Sequence, residues 1–81
     1  DLRKQIENVH YDFLKRVKEK YPTISPRELD LCTYLLMNMS TKEIAEIMNI
    51  SSGGVEVSRY RLRKKFGLNK KENLTGFLMS I

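Results

Sequence analysis

The sequence predicts an all-α fold, and three observations predict it. Apolar residues recur at helical spacing, serine or asparagine caps stand ahead of these runs, and no stretch alternates apolar with polar residues as a strand would. With 81 residues, 41% of them hydrophobic and 31% charged, the chain has the balance of one small globular domain rather than a disordered tail. A core this thin leaves helix caps and local propensity a real share of the stability.

The first helix is expected over 2–21. Leu2, Ile6, Val9, Phe13 and Val17 fall within about 80° of one another at helical pitch, a narrow apolar stripe. Pro22 ends it, because the residue before a proline is pushed out of the α region. This segment, 1–22, reads as a linker helix ahead of the domain proper, 23–81. The chain opens at Asp1 without an initiator methionine or a targeting pattern, and is expected to be the C-terminal piece of a larger protein.

Three capping boxes mark further helix starts. Ser25-Pro26-Arg27-Glu28 combines a capping serine, a proline at the first helical position and a glutamate that reaches back to the cap. Ser40-Thr41-Lys42-Glu43 repeats the spacing, and Asn69-Lys70-Lys71-Glu72 is a weaker variant. Ser51 is a cap without a glutamate partner. Asn38, Asn49 and Gly67 suit the left-handed residue that ends a helix. The expected helices are therefore 26–37, 41–48, 52–66 and 70–80.

The short pair 41–48 and 52–66, joined by a turn of about three residues, has the form of a helix-turn-helix, in which the second helix enters the major groove. Ala45 lets the two backbones cross closely, while Ile44, Ile47, Met48 and Ile50 are expected to fill the angle between them. At about 100° per residue the second helix divides into two faces. Val55, Leu62 and Phe66 share the core side, flanked by Ser58 and Arg59. Val57, Tyr60, Arg61 and Lys64 lie opposite, with Glu56 at the edge. Arg59 sits so near the core axis that its guanidinium is expected to find Glu28 or Glu43. The pair Gly53-Gly54 weakens the helix by up to about 1 kcal/mol each, yet permits close approach of backbone N–H groups to a phosphate.

Net charge is +5, and its distribution is uneven. Arg59, Arg61, Arg63, Lys64, Lys65, Lys70 and Lys71 crowd into 51–81, whereas 23–50 is net acidic. A cluster of this kind is the footprint of a polyanion binder, although a basic run alone equally suits a solvated helix face.

The stretch Ile24 to Leu74 resembles the LuxR-type helix-turn-helix domain. The residues that carry the resemblance are Ser25-Pro26-Arg27-Glu28, Met39-Ser40-Thr41-Lys42-Glu43-Ile44-Ala45 and Ile50-Ser51, followed by Val55, Leu62, Lys65, Phe66, Gly67 and Leu68. The resemblance implies a four-helix domain whose third helix, 52–66, reads DNA and whose last helix forms a dimer contact. The DNA-contacting set it implies is Ser40, Thr41 and Lys42 at one helix start, Ser51 and Ser52 at the next, and Glu56, Val57, Tyr60, Arg61, Arg63 and Lys64 along the reader. Glu56 stands where the family usually has lysine, Ser58 where it often has histidine and Arg61 where it often has asparagine. Glu56 suits a cytosine amine or the exclusion of unsuitable sites, and Arg61 and Arg63 supply the missing positive charge. The expected function is sequence-specific binding of double-stranded DNA as the output domain of a transcriptional regulator. Sigma-factor region four is a rival resemblance, through "SRYRLRKK", but it ordinarily lacks the further amphipathic helix that Leu74, Phe77, Leu78 and Ile81 provide here.

Other classes fit less well. No zinc-like Cys/His spacing and no phosphate-binding glycine loop occurs, so neither enzyme activity nor a cofactor is expected. His10, the sole histidine, lies beside the apolar stripe as a packing residue. Cys32, the sole cysteine, falls between Leu29 and Leu36 on one helical face and reads as a buried thiol, in keeping with a cytoplasmic protein. No apolar run is long enough to span a bilayer. A basic amphipathic helix also suits an acidic protein groove or an anionic surface, but Leu62 and Phe66 are already claimed by the core. Expected partners are duplex DNA, the upstream sensor region, and a second copy held weakly through helix 70–80 or through the first helix. Leu2, Ile6, Val9 and Phe13 have coiled-coil spacing, and Arg16 and Lys20 interrupt it. The stripe is expected to pack on the domain through Phe13, Val17 and Tyr21.

Overall fold

Local sequence dictates where each helix begins and ends. The computed structural model describes residues 12–81, and among them the chain is helical with no strand. A helix over 12–20, α1, is followed by α2 (Pro26–Leu36), α3 (Thr41–Met48), α4 (Ser52–Lys65) and α5 (Leu74–Met79). The apolar stripe ahead of residue 12, with Leu2, Ile6, Val9 and His10, lies outside the described residues.

Three of the starts share one device. The hydroxyls of Ser25, Ser40 and Ser51 accept the N–H groups of Glu28, Glu43 and Gly54 at 3.1, 3.1 and 3.0 Å. Glu28 and Glu43 close the reciprocal half by accepting the cap N–H at 2.8 and 3.0 Å. Three ends share another. Asn38, Asn49 and Gly67 adopt φ of 58°, 57° and 71°, which lets the N–H of the next residue turn back five positions. Met39 donates to Tyr34, Ile50 to Ala45 and Leu68 to Arg63, at 3.2, 3.0 and 3.0 Å. Each helix thereby stops sharply, and the connections stay short.

The last helix differs from expectation. Asn69 and Glu72 do form their reciprocal pair, at 3.1 and 3.4 Å. They close a single turn, because Asn73 is extended and supplies a second cap, its Oδ1 accepting the N–H of Gly76 at 2.9 Å. The helix therefore starts at Leu74 rather than at residue 70.

Among the described residues, thirteen buried hydrophobic side chains make one core to which every helix contributes. Phe13 and Val17 come from α1, Leu31, Cys32 and Leu35 from α2, Ile44 and Ala45 from α3, Val55 and Leu62 from α4, and Leu74 and Leu78 from α5. Tyr21, Phe66 and Phe77 stack where α1, α4 and α5 converge, with ring centroids 4.7 and 5.1 Å apart for the two closer pairs. Such pairs add about 0.5–1.5 kcal/mol each beyond area burial. Lys18 ties down the turn after α1 by donating to the carbonyls of Pro22 and Ile24, both at 3.0 Å.

One apolar assignment is corrected. Ile47 does not fill the α3–α4 angle but stands 56% exposed, since Ile44, Ala45 and Met48 already occupy the inward side of α3. Leu78 is buried, so the apolar face of α5 is spent on the core, with Ile81 half-buried and Met79 exposed.

Candidate nucleic-acid interface

The α3–α4 pair is built by the two devices just described. The left-handed Asn49 stops α3, Ser51 starts α4, and Ala45, whose methyl is the smallest side chain that fills the crossing, is buried between them. The core holds α4 by Val55, Leu62 and Phe66, and this fixes the direction of its other face. Val57 and Tyr60 are 49% and 57% exposed, and Glu56, Arg61 and Lys64 are exposed beside them. The Lys64 ammonium lies 4.9 Å above the Tyr60 ring, one helical turn away.

At the helix starts, Ser40, Lys42, Ser51 and Ser52 are exposed and Thr41 is half-buried. The first N–H groups of a helix lack intrahelical partners. Ser51 satisfies Gly54, which leaves the N–H groups of Ser52 and Gly53 directed outward from the exposed first turn of α4. A Cβ built on Gly53 meets nothing closer than the Ser51 hydroxyl at 3.8 Å, and one on Gly54 meets only ordinary contacts at 3.4 and 3.5 Å. The protein's own packing therefore does not require either glycine.

The cations of α4 are not equivalent. Arg63 is half-buried, and its guanidinium donates to the carbonyl of Asn69, beyond the end of the helix. Lys65 turns away from the exposed face altogether, donating to Glu28 at 2.7 Å and to the Thr23 carbonyl at 3.2 Å. Its angular position, on the Ser58 flank, is the signal in the sequence that separates it from Lys64. Arg59 does not reach a carboxylate, contrary to expectation. Its nearest partner is the Thr41 hydroxyl at 3.4 Å, because Lys65 claims Glu28 and the Ser40 cap claims Glu43. Ser58 is drawn inward, its hydroxyl donating to the Gly54 carbonyl at 2.9 Å.

Both capping glutamates are held ionised. Burial raises the Glu28 carboxyl, but hydrogen bonds from Lys65 and Ser25, with the ammonium charge, outweigh it and bring the group below its ordinary value. The backbone N–H and hydroxyl of Ser40 do the same for Glu43. The exposed face of α4 offers guanidinium and ammonium donors, a phenol and an isopropyl group, with Glu56 as its one acidic member. Among the described residues no group of histidine, cysteine and carboxylate side chains is arranged to hold a metal, and no helix is long and apolar enough to cross a membrane.

Residues 22–78 match the family model of bacterial regulatory proteins, luxR family. The chain is similar to the transcriptional regulatory protein MctR of Rhizobium johnstonii, with 34% identity over 65 residues that cover 80% of this chain and 30% of that one. It is also similar to the transcriptional regulatory protein TdiR of Thauera aromatica, with 37% identity over 57 residues that cover 70% of this chain and 25% of that one. The chain thus spans less than a third of the length of these relatives. No solved structure gives a significant match.

Proposed function

The chain belongs to the luxR family of bacterial regulatory proteins, a family of DNA-binding transcription regulators, and on that premise we propose that it binds double-stranded DNA sequence-specifically, as the output domain of a regulator, with α4 in the major groove. The observation that carries this reading is the division of α4. Val55 and Leu62 are sealed in the core, while Val57, Tyr60, Arg61 and Lys64 stand exposed on the opposite side. Water alone gives no reason to display a valine and a tyrosine among cations. Base edges do: the Tyr60 phenol can donate to or accept from a base edge, an isopropyl group matches a thymine methyl, and the Glu56 carboxylate accepts from a cytosine amine.

Phosphate contacts position such a helix without reading sequence. Ser40, Thr41 and Lys42 at the start of α3, and Ser51 and Ser52 at the start of α4, offer hydroxyls, one ammonium and outward N–H groups for that role. Arg63, bonded to Asn69, contributes charge rather than a base contact. One reader helix covers few base pairs, so two copies on half-sites about one helical turn apart are proposed. The apolar surface that α5 and the residues after it leave is Met79 with parts of Phe77 and Ile81. A contact this small falls well below the ~1,000 Å² of a stable interface and is expected to form on DNA rather than before it.

Selection of bound duplexes from a random-sequence pool tests the reading. Wild type should enrich one motif, and Val57→Ala and Tyr60→Ala should change that motif. Lys64→Ala should instead weaken all duplexes alike and flatten the salt dependence by about 0.9 in log–log slope. A pool without enrichment, or binding indifferent to salt, would exclude sequence-specific recognition by α4.

A further inference from the structure

The two flanks of α4 meet different neighbours. On one, Arg59 reaches Thr41 at the start of α3, beside the phosphate-binding groups already proposed. On the other, Ser58 and Arg61 face the first turn of α2 across a groove of about 260 Å³. It is lined by Ser25 at the cap of α2, Arg27, Glu28 and Leu31 of α2, Met48 of α3, and Ser58 and Arg61 of α4.

Charge decides what this groove accepts. Arg27 and Arg61 are exposed, and among the described residues neither guanidinium has a hydrogen-bond or ion-pair partner. Among the described residues Glu28 is the sole carboxylate lining it, and that charge is already met by Lys65 at 2.7 Å. The groove is therefore net cationic. Its placement of Arg27 is also locally unfavourable, since a cation in the first turn of a helix opposes the macrodipole by about 0.3–1 kcal/mol. Folding gives no reason for an arginine there. An anion between the two guanidiniums does.

We propose that Arg27 and Arg61 clamp a backbone phosphate of the duplex in this groove, so that α4 is straddled by phosphate contacts from α3 on one flank and from α2 on the other. The proposal rests on the reading of α4 as the major-groove helix, and makes Arg27 a DNA-contacting residue outside the helix-turn-helix pair. A major groove is bordered by two phosphate strands, and the clamp supplies the grip on the second. Because guanidinium forks suit phosphate and carry no base information at that position, Arg27 sets affinity and register rather than sequence.

Anisotropy titrations of the 81-residue chain with a short labelled duplex, at several salt concentrations, test the clamp. Arg27→Gln should flatten the log–log salt slope by about 0.9, which amounts to roughly eight-fold weaker binding at ~0.1 M salt, fading toward 1 M. Arg27→Lys should restore the slope by restoring the charge and should melt with wild type, while Arg27→Gln, relieved of a cation that opposes the macrodipole, should melt no lower than wild type. Steep salt dependence in wild type that Arg27→Gln leaves untouched overturns the clamp alone. Affinity lost at unchanged slope overturns it too, by placing Arg27 in the fold. So does a groove that binds a glutamate-rich peptide while Arg27→Gln binds duplex normally, which assigns it to a protein partner. Wild type without salt-dependent duplex binding overturns the reading of α4 and the clamp with it.

Discussion

Lys65, the last residue of α4, donates to Glu28 Oε1 at 2.7 Å, and the same oxygen accepts the N–H of Ser25 at 2.8 Å. One carboxylate oxygen therefore closes the capping box of α2 and fastens the end of α4 to it. The side chains are 26% and 23% exposed, so the ion pair by itself contributes at most about 1 kcal/mol. Loss of a cap costs about 0.5–2 kcal/mol. Glu28→Ala, which removes both, should lower stability by about 1–2 kcal/mol. Glu28→Gln keeps an acceptor for the cap and should lose less. For a domain of this size each kcal/mol moves Tm by about 4–8 °C, which a thermal melt resolves.

The same carboxylate gives an acid dependence with a defined sign. Glu28 is held below its ordinary value in the folded chain, so the unfolded chain binds its proton first as pH falls. Its contribution is fully present above the unfolded value of about 4.3 and is lost as pH drops through the lower folded one. Denaturant melts between pH 6 and 3 should show wild type losing stability more steeply than Glu28→Gln. Glu43, lowered by its own cap, leaves a residual slope in the variant. Parallel curves for the two proteins would show that the pair does not couple to folding.

Helix starts and ends were legible in the sequence because they are local. A serine and the glutamate three residues on find each other whatever the rest of the chain does, and Asn38, Asn49 and Gly67 tolerate a left-handed turn that other residues resist. The division of α4 was legible for a related reason: with Val55, Leu62 and Phe66 inward, helical pitch leaves no choice for Tyr60 and Lys64. Pairings between helices were not legible. Arg59 and Lys65 both lie near the core flank, and which one takes Glu28 depends on how α2 and α4 cross. Likewise Ile47, as apolar as Ile44, is left outside because α3 has room for only part of its apolar surface. At α5 the capping-box spacing pointed to Asn69, and the sequence reading missed that Asn73, four residues on, is extended and caps the helix instead.

Cys32 should be chemically silent in the folded chain. Burial, and secondarily the charge of Glu28, push its thiol up to about 12, so almost no thiolate exists at neutral pH. Native protein at pH 8 should resist iodoacetamide, with labelling appearing only as denaturant opens the core. Modification at the rate of a free thiol would mean that α2 opens locally without global unfolding.

The stacking of Lys64 on Tyr60 predicts that the two side chains do not act independently. At 4.9 Å on an exposed face the contact contributes about 0.5–1 kcal/mol to the free protein. A double-mutant cycle of Tyr60→Ala and Lys64→Ala, read by thermal stability, should give a coupling of that order. Tyr60→Phe retains the ring and should retain the coupling, while removing the hydroxyl available to a base edge. If Tyr60→Phe abolishes the coupling, the hydroxyl rather than the ring face is what holds Lys64.

Gly53 separates stability from binding. Glycine in a helix is less favourable than alanine by up to about 1 kcal/mol, and less in the first turn, where α4 places it. An alanine methyl there would sit 3.8 Å from the Ser51 hydroxyl, an ordinary contact, so Gly53→Ala should raise Tm by a few degrees at most and never lower it. The methyl would nonetheless stand on the exposed first turn, beside the outward N–H groups of Ser52 and Gly53. If those groups approach a phosphate, the methyl should hold the backbone away from it and weaken binding several-fold on every duplex. The salt slope should stay the same, because no cation has been removed. Melts and duplex titrations on the one variant measure both effects. Raised stability with unchanged affinity would show that the phosphate is not approached by the α4 backbone, and would leave Ser51, Ser52 and Lys42 to bind it through their side chains.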